Sequence, residues 1–329
     1  MRVVVVQGGP SSEAEVSRAS ARGVAAALLA AKHDVRVVEL EGRVAEALHE
    51  APLDVVFPVV HGAVGEDGAL QGLLEVLGFP YVGSNVLASA TAMDKSVART
   101  LFSAAGLPIA RGVTVRRSEG AHEDVAARLR RDVGRRLVVK PAASGSAIGV
   151  TRLDDTATDA DVVRALAAVF ALDDAAIVEH FAVGREITCS ILDVHGAAPR
   201  ALAATEIVAP KDAFYTYQAR YAPGRSVHVC PAALPEALTA RVHEVALAAH
   251  RALGCRDLSR ADFVIGDVGR DDAVALLEVN TIPGMTATSL YPEAALAAGI
   301  SFPELCDMLV RSALARGAAR RNAPVPLPT

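Results

Sequence analysis

Short apolar runs alternate with amphipathic segments along the first part of the chain. The pattern predicts strands at Val3–Val6, Asp34–Leu40 and Val55–Val60, and helices at Glu15–Ala31 and Val44–His49. Continuous β-branched runs that alternate with helices are typical of a parallel sheet covered on both faces. We therefore expect residues 1–92 to form an α/β unit with a Rossmann-like parallel sheet.

From Met93 onward the predicted elements follow a mixed order, so the chain is α+β overall. One unit, residues 93–182, contains Lys95–Ala105, Gly112–Val115, Glu123–Val133, Leu137–Lys140, Asp159–Phe170 and Ala176–Glu179. A third unit, residues 183–316, contains Glu186–Leu192, Pro235–Leu253, Ala261–Ile265, Ala273–Val279, Tyr291–Ala298 and Phe302–Ala315. Residues 317–329 are rich in Arg, Pro and Ala, and we expect a flexible tail.

Bulk composition narrows the class of protein. With 52% hydrophobic and 22% charged residues, the chain is expected to fold as a globular protein. A net charge of −5 argues against a nucleic-acid partner, and apolar stretches such as Val24–Ala31 are too short to cross a membrane. The N-terminal MRVVVVQGG predicts a strand and turn rather than a signal peptide. The four scattered cysteines indicate free thiols and a cytoplasmic location.

Two segments of the third unit carry polar side chains on predicted strands. In SRADFVI and ALLEVNTIPG, Arg260 and Asp262 share one strand face, as do Glu278 and Asn280. A hairpin turn over residues 266–273 would pair Asp262 with Glu278 and Arg260 with Asn280. Two close carboxylates repel unless they share a cation, and an all-oxygen set suits Mg²⁺. We predict a magnesium site, with a surface salt-bridge cluster as the alternative.

A lysine and a glycine-rich loop lie in the second unit. Lys140 ends a predicted strand, and SGSAIG at residues 144–149 follows it. Glycines let backbone N–H groups approach phosphates closely, so the loop is a candidate phosphate-binding hairpin; a plain hairpin is the alternative. Lys95, which begins a predicted helix, shows nothing distinctive by itself.

Three further segments have the composition of binding loops. Three of the five tyrosines fall in FYTYQARY, residues 214–221, which indicates a lid, with loop packing as the alternative. HGAVGEDGALQG, His61–Gly72, follows a strand at the edge where open α/β sheets bind ligands. Glu15 lies three residues after Ser12, a spacing that fits either a helix capping box or a carboxylate facing a ligand ammonium.

Taken in order, these motifs resemble the D-alanine–D-alanine ligases of the ATP-grasp superfamily. The resemblance runs through GGPSSEAEVS, HGAVGEDGALQG, MDK, VVKPAASGSAIGV, FYTYQARY and LEVNTIPGMTATSL and covers nearly the whole chain. It implies a three-unit ATP-grasp architecture that holds ATP between the second and third units. It also implies that two D-alanines are joined through an acyl phosphate and a tetrahedral intermediate, for peptidoglycan precursor synthesis, by a homodimer.

The resemblance assigns nucleotide and metal roles by position. Residues that match ATP ligands are Lys95 and Lys140 at the phosphates, Glu179, His180, Phe181 and Ala182 at the adenine, Glu186 at the ribose, and Arg220 in the lid. The ligands of two Mg²⁺ ions, for which Mn²⁺ is an alternative, match Asp262, Glu278 and Asn280.

It also assigns the amino-acid subsites. Glu15 matches the anchor of the first D-alanine's ammonium, in a hydrogen-bonded set with Ser146 and Tyr221. The oxyanion stabilisers match Arg260 and the amide of Gly284. The pocket for the second substrate's carboxylate matches Ser289 and Leu290, with His61 nearby.

Four residues depart from the usual family pattern, namely Ala63, Ala147, His180 and Arg220. They keep open the alternative of an ATP-grasp ligase for another D-amino acid pair, such as D-alanine with D-serine. Tyr221 favours a dipeptide product, because relatives that form depsipeptides tend to lack this tyrosine. A non-catalytic nucleotide-binding protein would have lost the metal ligands, which are present. A Rossmann-type oxidoreductase is disfavoured because no G-x-G-x-x-G follows the first strand.

Overall fold

A computed structural model of the protein describes residues 1–208, 227–266, 274–286 and 288–318. Its helices are α1 (Ala14–Ala30), α2 (Val44–His49), α3 (Ala69–Leu77), α4 (Val86–Met93), α5 (Lys95–Ala104), α6 (Glu123–Asp132), α7 (Asp159–Phe170), α8 (Glu236–Leu253), α9 (Leu290–Ala297) and α10 (Phe302–Arg316). Among these residues we find no helix with the length and apolar character that crossing a bilayer requires.

The first sheet is parallel, as the sequence predicts. Strand β1 (Arg2–Gly8) lies between β2 (Asp34–Leu40) and β3 (Val55–Pro58). The valines at positions 3 to 6 of β1 are at most 2% exposed, because helices cover both faces. Val3 and Val5 pack against α1 and α10, whereas the two alternate valines pack against α2 and α3.

The second sheet is antiparallel with strand order β4–β7–β5–β6. These strands are β4 (Gly112–Arg116), β5 (Leu137–Pro141), β6 (Thr151–Leu153) and β7 (Ala175–His180). Leu137 and Val139 are fully buried and pack against helices α6 and α7. Because strand side chains alternate, Val138 and Lys140 point to the opposite face, and both line a cavity there.

The third sheet is the largest one in the described part of the chain. Its order is β11–β10–β8–β12–β13, and β9 pairs with β8. The strands are β8 (Arg185–Asp193), β9 (Arg200–Ala201), β10 (Thr205–Val208), β11 (Val227–Val229), β12 (Asp257–Ile265) and β13 (Val274–Asn280). Helix α8 covers one face through Val242, Val245 and Ala249, and the other face carries the polar side chains of the site.

The predicted pairing of β12 with β13 is confirmed. Arg260 lies opposite Asn280 and Asp262 lies opposite Glu278, with a register shift after Asp262. Most of the predicted turn, residues 267–273, lies outside the described residues. Alternation along two adjacent strands was therefore sufficient to bring these four side chains to one face.

A buried carboxylate joins the start of β12 to the first sheet and to the last helix. Asp257 is fully buried, and its Oδ2 accepts from the backbone N–H of Gly83 at 2.8 Å. Its Oδ1 accepts from Ser312 Oγ at 2.7 Å and from Arg316 Nη1 at 2.6 Å. Arg316 Nη2 also donates to the carbonyl of Tyr81 at 2.9 Å. These contacts offset the energetic cost of the left-handed backbone conformation of Asp257, whose φ is 61°.

Two helices that were not predicted from the sequence follow β3. Helix α3 begins within the glycine-rich His61–Gly72 segment, and α4 follows shortly after it. Gly68 and Gly78, which flank α3, have φ values of 96° and 75°. Gly68 and Gly78 therefore shape the two ends of a short helix, and Gly72 is tolerated inside it.

Candidate active site

A cavity of about 450 Å³ collects side chains from all three sheet regions. The predicted site residues on its wall are Glu15, His61, Lys95, Ser146, Arg260, Glu278, Asn280, Gly284, Ser289 and Leu290. A second cavity adjoins it between the four-stranded sheet and the large sheet, and the two share Lys95, Ser146 and Glu278. The second cavity is also lined by Lys140, Glu179, His180, Phe181, Ala182 and Glu186. Seventeen of the residues predicted from sequence fall within the described chain, and all of them except Asp262 line one of these two cavities.

The paired strands β12 and β13 set the charge pattern at the centre. Arg260 Nε and Nη2 donate to the two oxygens of Asp262 at 2.8 and 2.7 Å, a bidentate pair. Thr188 Oγ1 donates to Asp262 Oδ1 at 2.7 Å. This arrangement fixes the guanidinium on the cavity wall, where Arg260 is only 7% exposed.

The oxygen groups beside this pair fit a hard cation. Glu278 lies opposite Asp262, and Lys95 Nζ is 3.4 Å from Glu278 Oε2. Asn280 Oδ1 accepts from the N–H of Ile282 at 2.8 Å and keeps a second lone pair. Across the described residues, no three or more His, Cys, Asp or Glu side chains are grouped for a metal. Two carboxylates and an amide nevertheless suit Mg²⁺, which completes its shell with water and phosphate oxygens.

A buried carboxylate positions the second lysine. Glu179 is 3% exposed; Lys140 Nζ donates to its Oε1 at 2.5 Å and Arg99 Nη1 donates to its Oε2 at 2.7 Å. Lys95 Nζ donates to the carbonyl of Ser144 at 2.6 Å. Buried charges of this kind persist when they are paired and hydrogen-bonded. Sequence reasoning missed Arg99, although it lies one turn after Lys95 on the same face of α5.

The linker after β7 forms the outer wall of the second cavity. Phe181 and Ala182 follow the strand, His180 is exposed, and Glu186 lies on β8. Arg152, which the sequence analysis did not select, places its Cζ 4.7 Å from the centroid of the Phe181 ring. Its Nη2 lies 3.3 Å from Glu186 Oε1.

The structure corrects the assignment of Glu15. Ser146 Oγ donates to Glu13 Oε1, not to Glu15, and Glu13 is 7% exposed. The side chain of Glu15 is 82% exposed, forms an ion pair with Arg18, and only borders the cavity. Helix α1 begins at Ala14. Two residues along a helix correspond to a rotation of about 200° around its axis, so the carboxylates of Glu13 and Glu15 point to different sides. The alternative interpretation, a capping box of Ser12 and Glu15, is not formed, because the N-cap is Glu13 rather than Ser12 and makes no side-chain capping bond.

Two desolvated groups lie near Glu13. His61 is 5% exposed, its Nε2 lies 3.3 Å from Ser20 Oγ, and burial lowers its pKa. Glu66 accepts from the N–H of Gly62 at 2.6 Å. Desolvation and, to a smaller extent, the charge of Glu13 raise the pKa of Glu66 to about 8. Glu66 lies inside the HGAVGED motif but is not among the residues predicted from the sequence.

Helix α9 begins at the opposite end of the larger cavity. Ser289 directly precedes the helix, Leu290 is its first residue, and Ser289 Oγ accepts from the N–H of Thr286 at 3.0 Å. A Cβ at Gly284 would lie 2.9 Å from Ser289 Oγ, so a larger residue at this position would force the Ser289 side chain to shift. Unpaired N–H groups at a helix start favour an anion.

Two predicted site residues, Arg220 and Tyr221, lie outside the described residues, as does the whole FYTYQARY segment. Their assigned roles remain predictions.

Comparison with known families decides what kind of site this is. The family model described as D-ala D-ala ligase C-terminus matches residues 101–311. A second model, D-ala D-ala ligase N-terminus, matches residues 43–84. The chain belongs to the D-alanine–D-alanine ligase family. Both models describe parts of the same ligase, in the order in which they occur here.

Individual relatives support this membership in the D-alanine–D-alanine ligase family. A D-alanine–D-alanine ligase of Acidiphilium cryptum is 46% identical over 319 residues, covering 96% of this chain and 99% of its own. One of Gluconobacter oxydans is 45% identical, covering 96% and 100%. The solved ligase of Coxiella burnetii superposes with a TM-score of 0.81 at 30% identity, covering 96% of each chain.

A Bacillus anthracis D-alanine–D-alanine ligase solved in complex with ATP has a TM-score of 0.80 at 32% identity, covering 96% of this chain and 98% of its own. The ATP-grasp fold and the ligase assignment predicted from the motifs are confirmed. Membership in the D-alanine–D-alanine ligase family favours this interpretation over the other classes that the sequence left open.

Proposed function

We propose that the protein uses ATP to join two D-alanines into D-alanyl-D-alanine, as a step in peptidoglycan precursor synthesis. The observation that carries the proposal is the register of β12 and β13, which pairs Arg260 with Asn280 and Asp262 with Glu278. Arg260, Glu278 and Asn280 line the larger cavity, and Asp262 holds the Arg260 guanidinium there. Lys95 lies 3.4 Å from that group, which places a cation next to the carboxylates. This combination suits the transfer of a phosphoryl group to a carboxylate.

The nucleotide occupies the second cavity in this proposal. The linker residues Glu179, His180, Phe181 and Ala182 contact the adenine, Glu186 binds the ribose, and Lys95 and Lys140 contact the phosphates. Asp262, Glu278 and Asn280 hold two magnesium ions, which when bound neutralise charge on the phosphate oxygens. Arg220 contributes from the lid. Lys95 pairs with Glu278 and Lys140 pairs with Glu179, so both lysine side chains are oriented before the phosphates bind.

The first D-alanine is anchored by Glu13 rather than Glu15. The Glu13 carboxylate is buried beside Ser146, in a position where it can attract the ammonium group of the substrate. Tyr221 completes this set in the proposal. The substrate carboxylate then faces the phosphates, so that one of its oxygens attacks the γ-phosphorus of ATP and an acyl phosphate and ADP form.

The second D-alanine binds with its carboxylate at Ser289 and Leu290, the start of α9, with His61 in the same pocket. Its amine attacks the acyl carbon, the carbonyl oxygen becomes an oxyanion, and phosphate leaves as the peptide bond forms. Arg260 and the amide of Gly284 stabilise that oxyanion. The glycine-rich loop excludes water, which would otherwise hydrolyse the acyl phosphate.

The organisation of the protein is part of the same proposal. Residues 1–92 bind the amino acids, and residues 93–182 and 183–316 enclose the nucleotide. The predicted tail, residues 317–329, lies outside the described residues from 319 onward. We propose a cytoplasmic homodimer without nucleic-acid or membrane partners; the scattered cysteines support the location, and the resemblance of the motifs implies the dimer.

The test is the dependence of turnover on its three components. We expect phosphate release from ATP only when magnesium and D-alanine are both present, with D-alanyl-D-alanine identified by mass. Equal turnover with L-alanine would contradict the stereochemical assignment. A panel that includes D-serine decides the alternative of another D-amino acid pair, since a mixed dipeptide formed faster than D-alanyl-D-alanine would favour it.

A further inference from the structure

An arginine outside the assigned nucleotide ligands bridges the two sheets that enclose the second cavity. Arg152 lies on β6, opposite Val138 on β5, and Val138 lies opposite Glu179 on β7. Paired residues of neighbouring strands share a face, so Arg152 points to the same cavity as Glu179. Its partner Glu186 lies on β8 of the large sheet, opposite Val264. The 3.3 Å contact between Arg152 Nη2 and Glu186 Oε1 therefore spans the cavity.

A second contact fixes the plane of this guanidinium. Its Cζ is 4.7 Å from the centroid of the Phe181 ring, within the range of a cation–π interaction. Phe181 lies in the linker between the two sheets, and it lines the same cavity as Arg152 and Glu186. The guanidinium thus touches both the carboxylate and the aromatic wall at this end of the cavity.

The setting of the pair indicates a ligand-related role rather than a structural one. The side chains of Arg152 and Glu186 are 24% and 25% exposed, on the cavity wall and not in the hydrophobic core. A partly exposed ion pair contributes little to the stability of a fold. Burial lowers the pKa of Arg152, as expected for a cation held in a cavity between two sheets.

We propose that Arg152 is a positioning residue for the nucleoside part of the bound nucleotide, an inference that rests on the proposed function. By contacting Oε1 of Glu186, it orients the carboxylate and directs the remaining lone pairs toward the ribose hydroxyls. By lying over Phe181, it holds the aromatic wall against which the base packs. Arg152 therefore sets the selection for a ribonucleotide over its 2′-deoxy analogue.

The experiment compares Arg152→Met, Arg152→Lys and the control Arg128→Met. Arg128 lies on α6 of the same unit, pairs with Glu119, and is absent from both cavity walls. Binding of a non-hydrolysable ATP analogue and of its 2′-deoxy form is measured by calorimetry, and ligation kinetics are measured in parallel.

We expect Arg152→Met to weaken binding of the ATP analogue about tenfold, the loss expected for one charge-assisted contact. The ratio of the affinity for the ATP analogue to the affinity for its 2′-deoxy form should fall toward one. The KM for ATP should rise in step, while kcat at saturating nucleotide and the KM for D-alanine change less than twofold. Arg152→Lys, which keeps the charge without the planar fork, should be intermediate, and Arg128→Met should match the wild type.

A matching loss of ribose preference in Glu186→Gln, with no further loss in the double variant, would support action through Glu186. Unchanged or tighter nucleotide binding in Arg152→Met, with an intact ribose preference, would overturn the inference. Because the calorimetry needs no ligation, a wild-type protein that binds the analogue but forms no dipeptide would refute the proposed function alone.

Discussion

The two halves of the site hold charge in different ways. In the nucleotide half, Lys140 and Arg99 share the buried carboxylate of Glu179, and Lys95 lies against Glu278. In the amino-acid half, burial raises the pKa of Glu66 to about 8 and lowers that of His61. The first half contains charges that are already paired; the second contains groups whose charged forms are disfavoured by burial.

This difference matches the ligands that each half would receive. Phosphates are permanently charged, so cations held in fixed positions by internal carboxylates are ready to meet them. A zwitterionic amino acid brings one charge of each sign, so it can supply an ammonium to a buried carboxylate such as Glu13. Three sets of variants test this difference between the two halves.

Glu278→Gln should have the largest effect, because it removes a carboxylate from the group that we propose binds magnesium. We expect kcat to fall on the order of 1,000-fold, since transition-state charge on the phosphoryl group loses its main neutralising ion. Steady-state ADP release measures the loss, and an unchanged circular dichroism spectrum shows that the fold survives. Full activity in this variant at limiting magnesium would rule out the site.

The pair Glu13→Gln and Glu15→Gln tests the anchor of the first amino acid. Glu13→Gln should reduce kcat/KM for D-alanine roughly 10- to 100-fold, the cost of losing one charge-assisted contact with an ammonium. Glu15→Gln should change it less than twofold, because Glu15 is exposed and pairs with Arg18. The reverse order of effects would restore the assignment that the sequence suggested.

Glu66→Gln tests desolvation in the amino-acid half through stability. The pKa of Glu66 is raised from 4.5 to about 8, so the folded state holds a proton that the unfolded state loses above pH 4.5. The free energy of unfolding of the wild type should therefore fall as the pH rises from about 5 to 8. The fall should be at most about 1.4 kcal/mol for each unit by which the pKa is raised.

Glutamine carries no such proton, so Glu66→Gln should lose this part of the pH dependence. Urea unfolding of both proteins at pH 6 and pH 9 measures the effect, and Glu15→Gln serves as the exposed control. A stability difference between variant and wild type that is the same at both pH values would show that Glu66 ionises normally.

Much of this architecture follows from local pattern. The alternation in SRADFVI and ALLEVN was enough to predict the pairing of Asp262 with Glu278, since strand periodicity leaves few registers that bury the apolar face. The bounds of β2, α2 and α7 are those expected from the sequence. The helix α3 was missed because glycine signals a turn more often than a helix end.

The unpredicted parts depend on contacts that are distant in sequence. Arg99 meets Glu179 across 80 positions, and Arg152 meets Glu186 across 34 positions and between two sheets. The choice between Glu13 and Glu15 depended on the first residue of α1, and helix starts shift by a residue or two in any sequence-based reading. Local patterns in one sequence do not show which distant residues contact each other. Nor do they show at which residue a helix begins, which decides the side to which each of its side chains points.

The Asp257 junction has a consequence for biosynthesis. The strand that carries Arg260 and Asp262 begins at a carboxylate whose guanidinium partner, Arg316, is 59 positions further along the chain. A nascent polypeptide emerging from the ribosome thus possesses its lysines, its acidic strands and its glycine-rich loop before it possesses the residue that ties β12 to the first sheet. We expect the contact between the start of β12 and the first sheet to be completed only after the final described helix has been translated.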